Sequence, residues 1–60
     1  MKLRYEFENG EIILVEGFDR ASLGQDRLIY IKDGETIIVD KPLASVTVIN
    51  EDGRVMKKLK

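Results

Sequence analysis

Residues 27–40, RLIYIKDGETIIVD, constrain the fold most strongly, because they predict a β-hairpin with a fixed register. Asp33 and Gly34 lie between two runs of β-forming residues. A two-residue type I′ turn needs positive φ at both central positions, which Asp tolerates and Gly adopts freely. The turn predicts the cross-strand pairs Lys32–Glu35, Ile31–Thr36, Tyr30–Ile37, Ile29–Ile38, Leu28–Val39 and Arg27–Asp40.

Both faces of this hairpin carry apolar side chains. Since successive side chains of a strand point to opposite sides, Leu28, Tyr30, Ile37 and Val39 share one face. The other face carries Ile29, Ile31 and Ile38 together with Thr36. An antiparallel hairpin that is half exposed normally has one polar face. We therefore expect both faces to be covered, either by the rest of the chain or by a second copy of it.

The length of 60 residues predicts a single domain, residues 1–60. A domain of this size buries only about 60% of the surface of its unfolded chain, so its stability is marginal without further support. The chain has no cysteine, which excludes disulfides and thiolate zinc sites and favours a reducing, cytoplasmic location. Oligomerisation remains as a stabilising device, and we expect a homo-oligomer. The alternative is a closed barrel that uses all its apolar side chains internally.

The first 16 residues predict another hairpin, with a two-residue turn at Asn9 and Gly10. The alternation of LRYEF predicts a half-buried strand before this turn. In the predicted register Ile13 and Val15 lie on the outward face, as candidates for contact with a partner. The inward face would contain Leu3, Tyr5, Phe7, Ile12 and Leu14.

Residues 17–26, GFDRASLGQD, interrupt the strand pattern. We expect a loop or one short helical turn here, with Asp19 as its N-cap and Gly24 as its stop signal. Phe18 and Leu23 would then fold over the end of a barrel. Polar loop residues also allow a functional role for this segment.

The last part of the chain predicts a third hairpin. Pro42 breaks the preceding strand, residues 45–50 form a new strand, and Asp52 and Gly53 provide the turn. A two-residue turn pairs Val48 with Lys57, whereas a four-residue loop over residues 50–53 is the alternative. The lysines of the final strand, residues 54–59, are typical of a protected sheet edge.

These elements predict an all-β fold of about six short strands in three hairpins, arranged as a small antiparallel barrel or a two-layer sandwich. SH3-like and Sm-like barrels are similar in size, but this analogy concerns architecture and does not fix a function. The idealised Asx-Gly turns would also suit a designed protein, whereas the irregular 17–26 segment counts against design.

The composition argues against an enzyme, since neither histidine nor cysteine is available and Ser22 and Ser45 have no evident activating partner. The glycine spacing matches no nucleotide-binding motif, and residues 50–53 lack the alternating acidic ligands of a calcium loop. We therefore expect no cofactor and no metal. No apolar run exceeds four residues, so we expect no membrane span.

The sequence thus favours a non-catalytic protein-interaction or regulatory module that self-associates. This hypothesis depends on the surplus of apolar residues over what a small barrel can enclose. The candidate interface residues are Ile13, Val15, Ile29, Ile31 and Ile38.

Nucleic-acid binding through the basic C-terminal strand is the alternative hypothesis. Residues 1–53 hold six basic and eleven acidic side chains, a balance of −5, whereas the last seven residues carry +4. An acidic body disfavours binding to phosphates, and Tyr5, Phe7 and Tyr30 occupy predicted core positions. The candidate phosphate contacts are Arg4, Arg54, Lys57, Lys58 and Lys60.

Overall fold

The computed structural model describes residues 1–25 and 27–60 and confirms the all-β fold. Its strands are antiparallel, and no helix occurs in these residues. None of the secondary structure described could therefore cross a membrane as a helix. The strands are β1 (Lys2–Phe7), β2 (Ile12–Glu16), β3 (Phe18–Gly24), β4 (Arg27–Lys32), β5 (Glu35–Val39), β6 (Leu43–Ile49) and β7 (Val55–Lys58).

The strands form two sheets that enclose one core. A four-stranded sheet has the order β2-β1-β6-β7, and a three-stranded sheet has the order β3-β4-β5. Side chains that alternate along β1, β4 and β6 meet between the sheets, as expected for two packed layers. The buried core consists of Leu3, Tyr5, Phe7, Val15, Leu28, Tyr30, Leu43, Val46 and Val48.

The central hairpin, β4 and β5, has the predicted turn and register. Asp33 has φ 53° and Gly34 has φ 78°, as a type I′ turn requires. The pairs from Lys32–Glu35 to Leu28–Val39 all occur as predicted, whereas β5 ends at Val39 and the ladder does not include the predicted Arg27–Asp40 pair. Leu28 and Tyr30 are buried, so this face of the hairpin packs onto the core.

The first hairpin has a different register from the predicted one. Its loop contains three residues, because the Phe7 N–H donates to the Glu11 carbonyl at 2.8 Å and the Gly10 N–H donates to the Phe7 carbonyl at 3.0 Å. Gly10 alone takes the left-handed conformation here, with φ 95°, which matches a type I turn followed by a G1 bulge. Tyr5 consequently pairs with Ile13 and not with Leu14.

This shift by one residue reverses the two faces of β2. Val15 is buried, and Ile13 packs against the core. Ile12 and Leu14, which were predicted to face inward, are exposed. The predicted outward position of Ile13 and Val15 is therefore wrong.

The prediction of a helical turn within residues 17–26 is also wrong where the structure describes this segment. Residues 18–24 form β3, which pairs with β4 along its length. Gly17, at φ 74°, turns the chain directly from β2 into β3. The register shifts between Phe18 and Arg20, so a bulge separates Phe18 from the next inward residue, Ala21. Asp26, the last residue of the predicted segment, lies outside the described residues.

The third hairpin repeats the loop of the first. The Asn50 N–H donates to the Arg54 carbonyl at 2.9 Å, and the Gly53 N–H donates to the Asn50 carbonyl at 3.0 Å. Three residues therefore separate the paired positions, and neither the two-residue nor the four-residue prediction is correct. Val48 nevertheless pairs with Lys57 as predicted, because a further irregularity next to Val48 compensates for the extra loop residue.

Candidate protein-interaction surface

The outer face of the three-stranded sheet exposes a continuous group of isoleucines. Ile29 and Ile31 project from β4, and Ile38 projects from β5 directly opposite Ile29. Ile38 is 58% exposed and Ile29 is 37% exposed, whereas Ile31 is partly buried. We call Ile29, Ile31 and Ile38 the isoleucine face. The structure brings together these three of the five predicted interface residues.

The side chains that pair with the isoleucine face on the neighbouring strands are polar, and they do not form a cluster of like charges. Arg20 pairs with Ile31 and Ser22 pairs with Ile29 across β3 and β4, and Thr36 lies opposite Ile31 on β5. A shallow groove of about 220 Å³ runs along β3 and β4, and its lining includes Ile29 and Ile31. An apolar centre with a polar rim is the arrangement found in protein–protein interfaces.

Only one face of the central hairpin is covered by the rest of the described chain. Leu28 and Tyr30 lie in the core, but the exposure of Ile29 and Ile38 shows that no other element shields the outer face. The described residues thus leave these two side chains at least partly open to solvent. Cover by a second copy stays a prediction.

The remaining two predicted interface residues, Ile13 and Val15, face the core from β2. Their outward neighbours Ile12 and Leu14 are 52% and 53% exposed and lie on the four-stranded sheet. They pair with Glu6 and Arg4 of β1, so charged side chains separate them from β6. Knowledge of the three-residue loop would have been needed to find them from the sequence.

A second apolar opening lies where β3 and β7 approach each other. This groove, of about 350 Å³, has Val48 in its lining together with the exposed side chains of Met1 and Met56. Phe18 and Leu59, which also line it, are partly buried against the core. The groove is lined by the first residues of β3 together with residues of β6 and β7.

The basic residues of the alternative hypothesis do not form a basic groove with aromatic side chains. The Arg4 Nη2 atom lies 3.5 Å from Glu6 Oε1, so a carboxylate accompanies this guanidinium. Lys57 and Lys58 point to opposite sides of β7, Arg54 lies beside the turn, and Lys60 follows the last strand. All aromatic side chains, which lie within the described residues, are buried or packed against the core.

The described residues contain no group of three or more carboxylates that could hold a metal ion. Buried side-chain polar atoms in the same residues all have hydrogen-bond partners.

Comparison with protein-family models, with curated proteins and with solved structures gives no match.

Proposed function

We propose that this chain is a non-catalytic protein-interaction module of the cytoplasm that self-associates. The isoleucine face is the single observation that carries the proposal, because it is an apolar surface on a regular sheet that the described chain leaves open. Burial of apolar surface is worth roughly 25 cal/mol per Å², so its removal from water favours association.

The size of the domain supports the same proposal. A chain of 60 residues encloses a small core, here with four side chains almost completely buried. Domains of this size commonly gain stability from oligomerisation when they lack disulfides and structural metals. The absence of cysteine supports the cytoplasmic part of the proposal.

The test of self-association is the molecular mass in solution, measured by light scattering over a dilution series. The expected mass lies above the single-chain value of 6.9 kDa at high concentration and falls towards it on dilution. A mass of one chain at millimolar concentration would contradict the proposal.

A pair of variants tests whether the isoleucine face is involved. Ile38→Lys should lower the mass at high concentration, because it introduces a charge into the face. Leu14→Lys is the matched control, since Leu14 is similarly exposed on an edge strand of the other sheet, at 53% against 58% for Ile38. An equal effect of both variants would show that association does not depend on this face.

Nucleic-acid binding predicts a different result. A binder that neutralises phosphates loses affinity steeply as the salt concentration rises. Titration of a short fluorescent oligonucleotide at low and high salt should show no such binding if the proposed function is correct. Strong, salt-dependent binding that is lost in Lys57→Thr/Lys58→Thr would favour the alternative.

A further inference from the structure

Within the part of the chain that the structure describes, strand β5 is an edge of the three-stranded sheet and pairs only with β4. In a two-residue hairpin, the residues that flank the turn exchange both backbone hydrogen bonds, so Glu35 and Ile37 direct their N–H and C=O groups towards β4. Thr36 and Ile38 therefore direct their N–H and C=O groups away from the sheet. These groups form an edge that another antiparallel strand can bind.

The edge of β5 lacks the usual protection against such pairing. Residues 35–39, ETIIV, contain neither lysine nor proline, and their pairing with β4 continues without a bulge. Strand β7, at an edge of the other sheet, carries Lys57 and Lys58 and has a register shift in its pairing. Lysines, prolines and bulges are the common means of blocking edge pairing. Of these two edges, β5 is the one open to another strand.

The charges next to β5 favour a second copy of the same strand as its occupant. In an antiparallel pair centred on Ile38, Ile38 faces Ile38 of the second copy, and Thr36 faces Asp40. Glu35 then lies opposite Lys41 of the second copy, and the two-fold symmetry repeats this pair. Both side chains are exposed in the single chain. Opposite charges that face each other across strands are stabilising.

Other features agree with the same register. Ile37 faces Val39 of the second copy, and both side chains pack against the core, so the inner apolar row continues across the axis. The pairing ends before Pro42, which has no N–H and whose carbonyl accepts from the Glu8 N–H at 3.0 Å. A register centred on Ile37 would place Glu35 opposite Val39 and lose the ion pair.

From these observations we infer that two copies join through antiparallel β5 strands, with Ile38 at the two-fold axis. The two three-stranded sheets become one continuous sheet, in which Ile38 of each copy contacts the other at the axis while Ile29 and Ile31 stay on its outer side. This inference deepens the proposed function and rests on it, since it specifies how the chain self-associates.

Charge-reversal variants provide the first test. Glu35→Lys and Lys41→Glu each convert both attractive pairs of the dimer into repulsive ones, so each variant alone should dimerise roughly tenfold more weakly or worse. In an equimolar mixture, a heterodimer of the two variants has both pairs attractive again. Light scattering of the mixture should therefore show the dimer mass at a concentration where each variant alone shows that of a monomer.

The mixture also controls for effects within one chain. The Lys41 ammonium lies 5.4 Å from the centre of the Phe7 ring, and Glu35 pairs with Lys32, so each variant alters its own fold locally. A defect inside one chain would not be repaired by the other variant. Failure of the mixture to dimerise, while the wild-type chain does, would overturn edge pairing and leave self-association standing.

Disulfide cross-linking provides the second test, because the chain has no cysteine of its own. A hydrogen-bonded antiparallel pair places its Cα atoms about 5.5 Å apart, within the range that a disulfide spans. Ile38→Cys should therefore form a covalent dimer under mild oxidation. Ile29→Cys is the matched control, since it lies on the same face but one strand further from the axis.

The outcomes separate the two proposals. A yield of covalent dimer that is much higher for Ile38→Cys than for Ile29→Cys supports edge pairing. Equal or stronger cross-linking of Ile29→Cys indicates face-to-face packing of the sheets and overturns edge pairing, while self-association stands. A single-chain mass for the wild type at millimolar concentration overturns both.

Discussion

The Tyr5 hydroxyl lies 3.4 Å from the Tyr30 hydroxyl, so a buried hydrogen bond joins the two sheets through the core. Tyr5 belongs to β1 and Tyr30 to β4, and their ring centroids are 6.0 Å apart. Burial raises the pKa of the Tyr5 phenol above its ordinary value of 10.0, and the contact with Tyr30 acts in the same direction. The folded state thus favours the protonated form of Tyr5.

We expect this pair to make the fold sensitive to high pH. Above pH 10 the unfolded chain loses the Tyr5 proton while the folded chain retains it, so the free energy of unfolding falls as pH rises. Tyr5→Phe should cost about 0.5–1.5 kcal/mol at neutral pH through the lost hydrogen bond. Above pH 10 its stability should fall less steeply than that of the wild type.

Urea unfolding of both proteins between neutral pH and pH 11 measures this difference. The other titrating groups are common to the two proteins, so the gap between the two curves isolates Tyr5. A gap that stays constant over the whole pH range would contradict the prediction.

Two adjacent residues of β2 test the observed register. Leu14→Asp should change stability by less than about 1 kcal/mol, because Leu14 is 53% exposed. Val15→Asp should cost roughly 3 kcal/mol or more, because it places a carboxylate in the core, where Val15 is 7% exposed. Urea unfolding followed by circular dichroism measures both. The opposite order would show that the hairpin has the two-residue turn.

The turns explain why the register of one hairpin was predictable and that of another was not. Asp33 and Gly34 both adopt positive φ and form a two-residue turn, whereas Asn9 does not and Gly10 becomes the bulge of a three-residue loop. In β2 the hydrophobic pattern offers no further guide, because IILV presents apolar side chains in either register. The hydrogen bond from the Glu11 N–H to Asn9 Oδ1, at 2.9 Å, supports the loop that forms.

The type of turn also decided how much of the interaction surface could be predicted from the sequence. Ile29, Ile31 and Ile38 follow from the central turn and lie on one face as expected. Strand β3 was missed because Asp19 and Gly24 resemble the start and stop signals of a helical turn, whereas both residues lie within the strand. Tertiary pairing with β4 overrides that local signal.

The loop of the first hairpin can be tested through its glycine. Gly10→Ala should cost about 1–2 kcal/mol, because φ at this position is 95° and an added Cβ is strained there. Gly24→Ala is the control, since Gly24 lacks a positive φ and an added Cβ meets no atom within 4 Å. Gly24→Ala should change the free energy of unfolding by less than about 0.5 kcal/mol. Urea unfolding measures both glycine variants. Equal losses would mean that backbone strain is not the cause.

The lysines of β7 should protect the exposed edge of the four-stranded sheet. The double variant Lys57→Thr/Lys58→Thr removes the charges that oppose edge-to-edge pairing and adds β-forming residues, so we expect faster aggregation. Lys2→Thr/Arg4→Thr is the control, because it removes the same positive charge from β1, which lies inside the sheet. Turbidity and light scattering, recorded over time at one protein concentration, compare the aggregation rates of the two double variants. If both variants aggregate equally, net charge and not edge protection keeps the chain in solution.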